Sequence, residues 1–118
     1  MTETQFTSKL VRAIRERLGP GAIVFKHADG YTAGIPDISI SLGRNTLWLE
    51  AKLVGNPKFF EPLQLAILEK LDGHYIFWNT KTRLGCRFLA CQYNKEEVLS
   101  RCCLSFNELV QNIINEVI

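Results

Sequence analysis

The sequence predicts an α/β fold: an amphipathic first helix, a hairpin of short alternating strands, a second helix, further strands and an amphipathic closing helix. Three observations carry that reading. Phe6, Leu10, Ala13, Ile14 and Leu18 recur at helical spacing and run into Gly19-Pro20-Gly21, the pattern of a helix with one buried side, stopped by residues that do not continue it. Residues 37–42 and 47–53 alternate polar and apolar side chains, as strands with one covered face do. Ser105 and Glu108 stand three apart at the head of the apolar series Phe106, Leu109, Val110, Ile113, Ile114 and Val117, which is a capping box opening an amphipathic helix.

Taken in order, the first helix spans residues 3–18, with Thr2 placed to cap it. Residues 22–26 form a short strand, and residues 27–34, with Asp29-Gly30 and Ala33-Gly34, form a loop. In the hairpin, Gly43-Arg44-Asn45-Thr46 is short and turn-prone, so its two strands run antiparallel. With Arg44 and Asn45 as the turn, Gly43 faces Thr46, Ser39 faces Glu50 and Asp37 faces Lys52. Residues 55–58 make a second loop. Pro62 suits the first turn of a helix over residues 61–71, packed through Leu65, Leu68 and Leu71 and ended by Asp72-Gly73. Strands at 74–78 and 84–92 follow. The closing helix has an apolar face broad enough either to cover the sheet or to seal a dimer.

At 118 residues the chain suits one domain over 1–118, able to bury about two-thirds of its unfolded surface. Its hydrophobic content is 47% and its charged content 22%, ordinary for a globular protein. No apolar run reaches the roughly 18 residues of a membrane span, and residues 1–5 lack the basic start and apolar core of a signal peptide. The expectation is an intracellular, cytoplasmic protein. A net charge of +2 does not by itself identify a nucleic-acid partner. Basic residues do cluster locally, with Lys9, Arg12, Arg15 and Arg17 on the first helix and Lys81 and Arg83 in a later turn, where they could track phosphates.

The hairpin carries the chemistry. Glu50 follows Asp37 by thirteen residues, and the register above makes them diagonal neighbours on one face, roughly 7–8 Å apart at the backbone. Two carboxylates repel by about 4 kcal/mol at ~4 Å and an effective dielectric of about 20, so keeping both ionised calls for a cation. A hard divalent ion such as Mg²⁺ takes oxygen ligands and retains waters. Asp37, Glu50 and the Ala51 carbonyl would suffice to hold it. Lys52 projects to the same side, where it would bind a phosphate or help orient and deprotonate an attacking water. An ordinary charged hairpin face is the bland alternative. Pro36-Asp37, strand alternation, Glu50-Ala51-Lys52 and a tight turn in combination favour the catalytic one.

Pro36-Asp37 and Glu50-Ala51-Lys52 resemble the PD-(D/E)XK nuclease signature. With Glu3-Thr4-Gln5-Phe6, Gly34-Ile35-Pro36-Asp37, Leu49-Glu50-Ala51-Lys52 and Pro62-Leu63-Gln64, the chain is similar to the small virus-type replication-repair nuclease (VRR-NUC) branch, including phage-encoded members. That resemblance covers about the first two-thirds of the chain. It implies a restriction-endonuclease-like αβββαβ core with a mixed central sheet flanked by helices, a Mg²⁺ or Mn²⁺ centre, and hydrolysis of phosphodiester bonds in DNA, with branched or flap structures as substrates and a homodimer as the working unit. A further acid from the first helix is implied as a metal ligand. Glu3 lies in the inward stripe and Glu16 on the opposite side. Glu3 also suits a helix N-terminus for its charge alone. Gln64 is implied to orient water or phosphate, where spacing alone would read an exposed helix residue.

On the loops, Tyr31 could stack on a base or sugar and Lys58 could reach a phosphate. Lys9 is the nucleic-acid contact expected from the first helix. Cys86, Cys91, Cys102 and Cys103 are spaced unlike zinc knuckles and are read as reduced thiols, with no zinc. His27 and His74 have no partner at ligand spacing. The alternative to an endonuclease is a catalytically silent module of the same fold that binds nucleic acid or a protein partner.

Overall fold

The computed structural model describes residues 1–27, 34–55 and 61–118. Helix α1 (Glu3–Leu18) passes through a 3-10 turn, Gly19–Gly21, into strand β1 (Ala22–Lys26). Strands β2 (Ile38–Leu42) and β3 (Asn45–Leu53) form the hairpin, and α2 (Pro62–Lys70) leads to β4 (His74–Asn79) and β5 (Leu84–Leu89). The short α3 (Val98–Arg101) and then α4 (Phe106–Val117) follow. The sheet has the order β1-β2-β3-β4-β5. Its β3–β4 pair is parallel and the others antiparallel, so the sheet is mixed and α2 serves as the crossover that a parallel pair requires.

Strand alternation divides the interior into two cores. On one face Phe6, Leu10 and Ile14 of α1 and Leu109, Val110 and Ile113 of α4 pack on Ile38, Ile40, Leu49, Ala51, Ile76 and Trp78. On the other, Leu68 of α2 and Val98 of α3 cover Tyr75, Phe77, Cys86 and Phe88. The broad apolar face of α4 therefore covers the sheet. Leu109, Val110 and Ile113 are fully buried within the chain, and that face is not left over to seal a dimer. Both helices carry capping boxes, Thr2 with Gln5 and Ser105 with Glu108, each satisfying backbone N–H groups that the first turn leaves open. Arg87 fastens α4 to the sheet: its guanidinium donates to Asn112 Oδ1 at 2.5 Å and to Nδ1 of buried His74 at 2.9 Å, and it lies 3.4 Å from Glu116.

Two expectations are corrected. The hairpin turns at Gly43-Arg44, with Leu42 opposite Asn45 and Ser39 opposite Trp48. Gly43 has φ +61°, and glycine takes a positive φ at the first central position of a two-residue turn more cheaply than arginine or asparagine would. The shift preserves which face each side chain occupies, but it brings Asp37 directly opposite Glu50 instead of diagonal to it. Strand β5 also stops at Leu89 rather than residue 92. Its partner there is His74, the first residue of β4, so residues 90–92 have no ladder to join and coil into a 3-10 turn that leaves Cys91 exposed.

Gly34 sets the approach to Asp37. It has φ +83°, and a Cβ there would stand 2.5 Å from Ile67 Cδ1 and 3.2 Å from Leu63 Cγ of α2. Gly34→Ala should therefore destabilise the protein by about 1–3 kcal/mol through positive-φ strain and overpacking. A thermal melt within a degree of the parent would show that this segment does not pack as described.

Candidate functional site

A cleft opens where the C-terminal ends of β1 and β3 meet the N-terminal end of β2, under the start of α1 and beside α2. Glu3, Thr4, Thr7, Lys26, His27, Asp37, Glu50, Lys52, Glu61 and Gln64 line it. Asp37 and Glu50 face each other across the β2–β3 pair. Asp37 N–H donates to Glu50 Oε1 and Ala51 N–H donates to Asp37 Oδ2, both at 3.1 Å. Each carboxylate thus takes the place of a backbone carbonyl at the frayed end of the ladder. Lys52 Nζ lies 3.4 Å from Glu50 Oε2, both side chains being nearly inaccessible. Glu3 reaches over from the first turn of α1, where its Oε2 accepts from Leu53 N–H at 3.2 Å.

Burial and the neighbouring Asp37 charge push the Glu50 carboxyl up to about 8, against the pull of Lys52. Burial likewise raises Asp37, with Glu3 adding to the rise and the Ala51 N–H and Lys52 opposing it. Two acids in this environment do not both ionise near neutral pH unless a cation joins them. The donor set fits a hard divalent ion: adjacent carboxylates, and Gln64 Oε1 buried on the cleft wall with no hydrogen-bond donor among the described residues. Among the described residues no three His, Cys, Asp or Glu side chains are grouped closely enough to hold a metal by themselves.

The structure thus brings together Glu3, Asp37, Glu50, Lys52 and Gln64, with Ala51 contributing its backbone to the same place. His27 was missed from sequence. Its N–H donates to the Asp37 carbonyl at 2.7 Å, its Nε2 lies 2.7 Å from Ser39 Oγ, and its ring stacks on Trp48 at 5.3 Å. Lys26, Thr7 and Glu61 also line the cleft without having been singled out. The pairing of β1 with β2 that places His27 and Lys26 has no sequence signal, because no tight-turn pattern joins the two strands in the sequence. Lys9 lies elsewhere, its ammonium 4.4 Å from the centre of the Phe106 ring. Arg15 is bonded to the Val24 carbonyl and Arg17 to Asn107 and Gln111. Tyr31 and Lys58 fall outside the described residues. Cys86 and Cys102 are buried with sulfurs 3.4 Å apart, while Cys91 and Cys103 are exposed. No helix among the described residues is long and apolar enough to cross a membrane.

Comparison with known proteins adds one finding. No family model matches the chain, and no curated protein matches it. Among solved structures it is similar to Hjc of Archaeoglobus fulgidus, a Holliday junction resolvase from an archaeal hyperthermophile. The match has a TM-score of 0.64 at 16% sequence identity and covers 92% of this chain and 98% of that one. At that identity the likeness speaks for the fold, which is α/β and restriction-endonuclease-like, with a mixed five-stranded sheet between helices.

The raised Glu50 pKa has a consequence for stability. A carboxyl whose folded pKa lies above its unfolded one stabilises the fold at low pH, and that contribution is lost as pH rises through the folded value. In EDTA the protein should accordingly lose stability between about pH 5 and 8. Asp37→Asn removes the repulsion and leaves the Glu50–Lys52 pair in place. It should raise stability at pH 8 by about 1 kcal/mol or more and abolish stabilisation by Mg²⁺. Denaturant titrations at pH 5 and 8 check this, and a variant less stable than the parent at pH 8 contradicts it.

Proposed function

We propose that this protein is a divalent-metal-dependent endonuclease that hydrolyses phosphodiester bonds of DNA at branched or flap structures. The observation that carries the reading is the apposition of half-buried Asp37 and buried Glu50 across the β2–β3 pair, with buried Lys52 against Glu50. Burying two repelling acids and a lysine is costly for a fold, and this cost falls at the mouth of a cleft instead of in a sealed core. The likeness in fold to a Holliday junction resolvase supports a branched DNA substrate. The assignment to the virus-type replication-repair branch, and with it a viral or phage origin, rests on the motif words alone.

Asp37 and Glu50 would hold Mg²⁺ or Mn²⁺ together with the Ala51 carbonyl, and Glu3 would complete the acidic wall from α1. When bound, the ion would supply positive charge to the phosphoryl oxygens and acidify a coordinated water. Lys52, whose ammonium lies 3.4 Å from Glu50 Oε2, would meet the phosphate or the attacking water. Its charge then opposes the negative charge that grows on the phosphoryl group in the transition state. Gln64 offers an amide on the cleft wall to orient that water. Lys9, which lies outside the cleft, and Tyr31 and Lys58 are assigned to DNA contacts. A homodimer would place two such clefts to cut two strands, through a surface other than the apolar face of α4.

Lys52→Ala and Asp37→Ala should each abolish Mg²⁺-dependent cleavage of flap and four-way-junction DNA while the circular dichroism of the parent is kept. If purified Asp37→Ala protein cut as fast as the parent, the assignment would be wrong. The two helix-one acids separate the same way. Glu3→Gln should lower metal affinity or turnover by about tenfold or more, whereas Glu16→Gln, whose carboxylate lies outside the cleft, should match the parent. Equal behaviour of the two variants in metal titrations removes Glu3 from the site.

A further inference from the structure

The two faces of the sheet are covered unequally. Helices α2 and α3 lie over β3, β4 and β5 on the site's face, and the β1–β2 side of that face is bare enough to leave Ile23 and Phe25 each 57% exposed. The antiparallel pairings arrange this region, in which Ser39 is buried and Trp48 half-buried, in cross-strand rows. Ile23, Ser41 and Thr46 form one row, and Phe25, Ser39 and Trp48 the next. His27, Asp37 and Glu50 follow, joined by the His27-to-Asp37 backbone bond and the Asp37-to-Glu50 contact. The third row holds the carboxylates. The shelf therefore runs without a break into the cleft, one row being about 7 Å of strand.

Its floor is aromatic. The Phe25 and His27 rings are 6.1 Å apart, and His27 stacks on Trp48 at 5.3 Å and 28°. We propose that this Phe25–His27–Trp48 shelf is a stacking platform for an unpaired nucleobase next to the scissile phosphate. The proposal rests on the nuclease reading and deepens it by naming what the site selects. With the phosphate at the carboxylate row, the adjoining base reaches the Phe25 row. Inside a duplex each base lies ~3.4 Å from the next and both its faces are occupied, so only an unpaired or terminal base can lie on a protein ring. Branch points, flaps and ends expose such bases.

A second copy of this chain fits the shelf less well. The outward edge of β1 is blocked at its centre, where the Arg15 guanidinium donates two hydrogen bonds to the Val24 carbonyl, at 2.6 and 3.1 Å, and Lys26 is drawn to Ser8 on α1 at 2.7 Å. Strand-to-strand addition is thereby opposed. Two exposed apolar side chains also fall well short of the ~800 Å² per partner that a stable protein interface buries. A base needs little more than one ring.

The test uses the full chain carrying Asp37→Asn, so that DNA is bound and not cut. Trp78→Phe is added to leave Trp48 as the fluorescent tryptophan, since the chain has two. A flap or junction with unpaired thymidines at the cleavage site should quench Trp48, and a covalently closed circular duplex, which has no ends, should not. Phe25→Ala, whose ring is outside the core, should weaken flap binding about tenfold relative to duplex binding, and Phe25→Tyr should restore it. Equal affinity of Phe25→Ala and parent for flap DNA, with no quenching of Trp48, overturns the platform while Mg²⁺-dependent cleavage by the unmodified chain still upholds the nuclease. Conversion of a dimer to a monomer by Phe25→Ala in sedimentation would make the shelf a subunit interface and also overturn it. If the unmodified chain neither binds nor cleaves any DNA, both readings fall together.

Discussion

Everything in this molecule is arranged around two acids that would rather be apart. Asp37 and Glu50 are held opposite each other by crossed hydrogen bonds, each side chain accepting from the backbone of the other strand. These contacts fix the end of the β2–β3 ladder, yet burial raises both carboxyls above their ordinary range, and the Asp37 charge adds to the rise at Glu50. A fold that needed only the hydrogen bonds could have used neutral amides. The acids instead place two titratable groups where β1, β2, β3, α1 and α2 converge.

The sheet supports this by treating its two faces differently. One face is sealed by α1 and α4 with aliphatic side chains packed to full burial, which holds the strands rigid. The other is sealed over β3 to β5 by α2, α3 and a cluster of Tyr75, Phe77, Phe88 and Tyr93 rings. The acids sit at the border between the covered and the open part of that second face. Lys52 and Glu50 are buried enough to interact strongly, and the border leaves them on the wall of the cleft. Helix α1 belongs to both sides of the arrangement. Its apolar stripe closes the first core, its Arg15 shields the sheet edge, and its first residue, Glu3, extends the acidic wall.

The likeness to an archaeal Holliday junction resolvase at 16% identity shows how little of such a fold depends on particular core side chains. Alternation on the strands and a stripe on each helix can be satisfied by many apolar sets of similar volume. Functional side chains have no such latitude, because a carboxylate displaced by one residue along a strand moves to the opposite face.

Local patterns in the sequence by themselves determined helices α1, α2 and α4, most of the strands and the two-acid hairpin, but not the short α3. Helix α1 was legible to its ends from Thr2 and the Gly19-Pro20-Gly21 stop, and α4 from its capping box, because caps and breakers act within a few residues. The common face of Asp37, Glu50 and Lys52 was legible for the same reason, since strand alternation survives a two-residue error in register. The register itself was decided by Gly43 and its positive φ, a conformational preference that four turn-forming residues in a row leave ambiguous. Tertiary structure alone decided that α4 covers the sheet, that β5 stops where β4 begins, and that His27 and Lys26 join the cleft. Each of these depends on which segments meet after a loop, and hydrophobic periodicity states that a face is buried without stating against what.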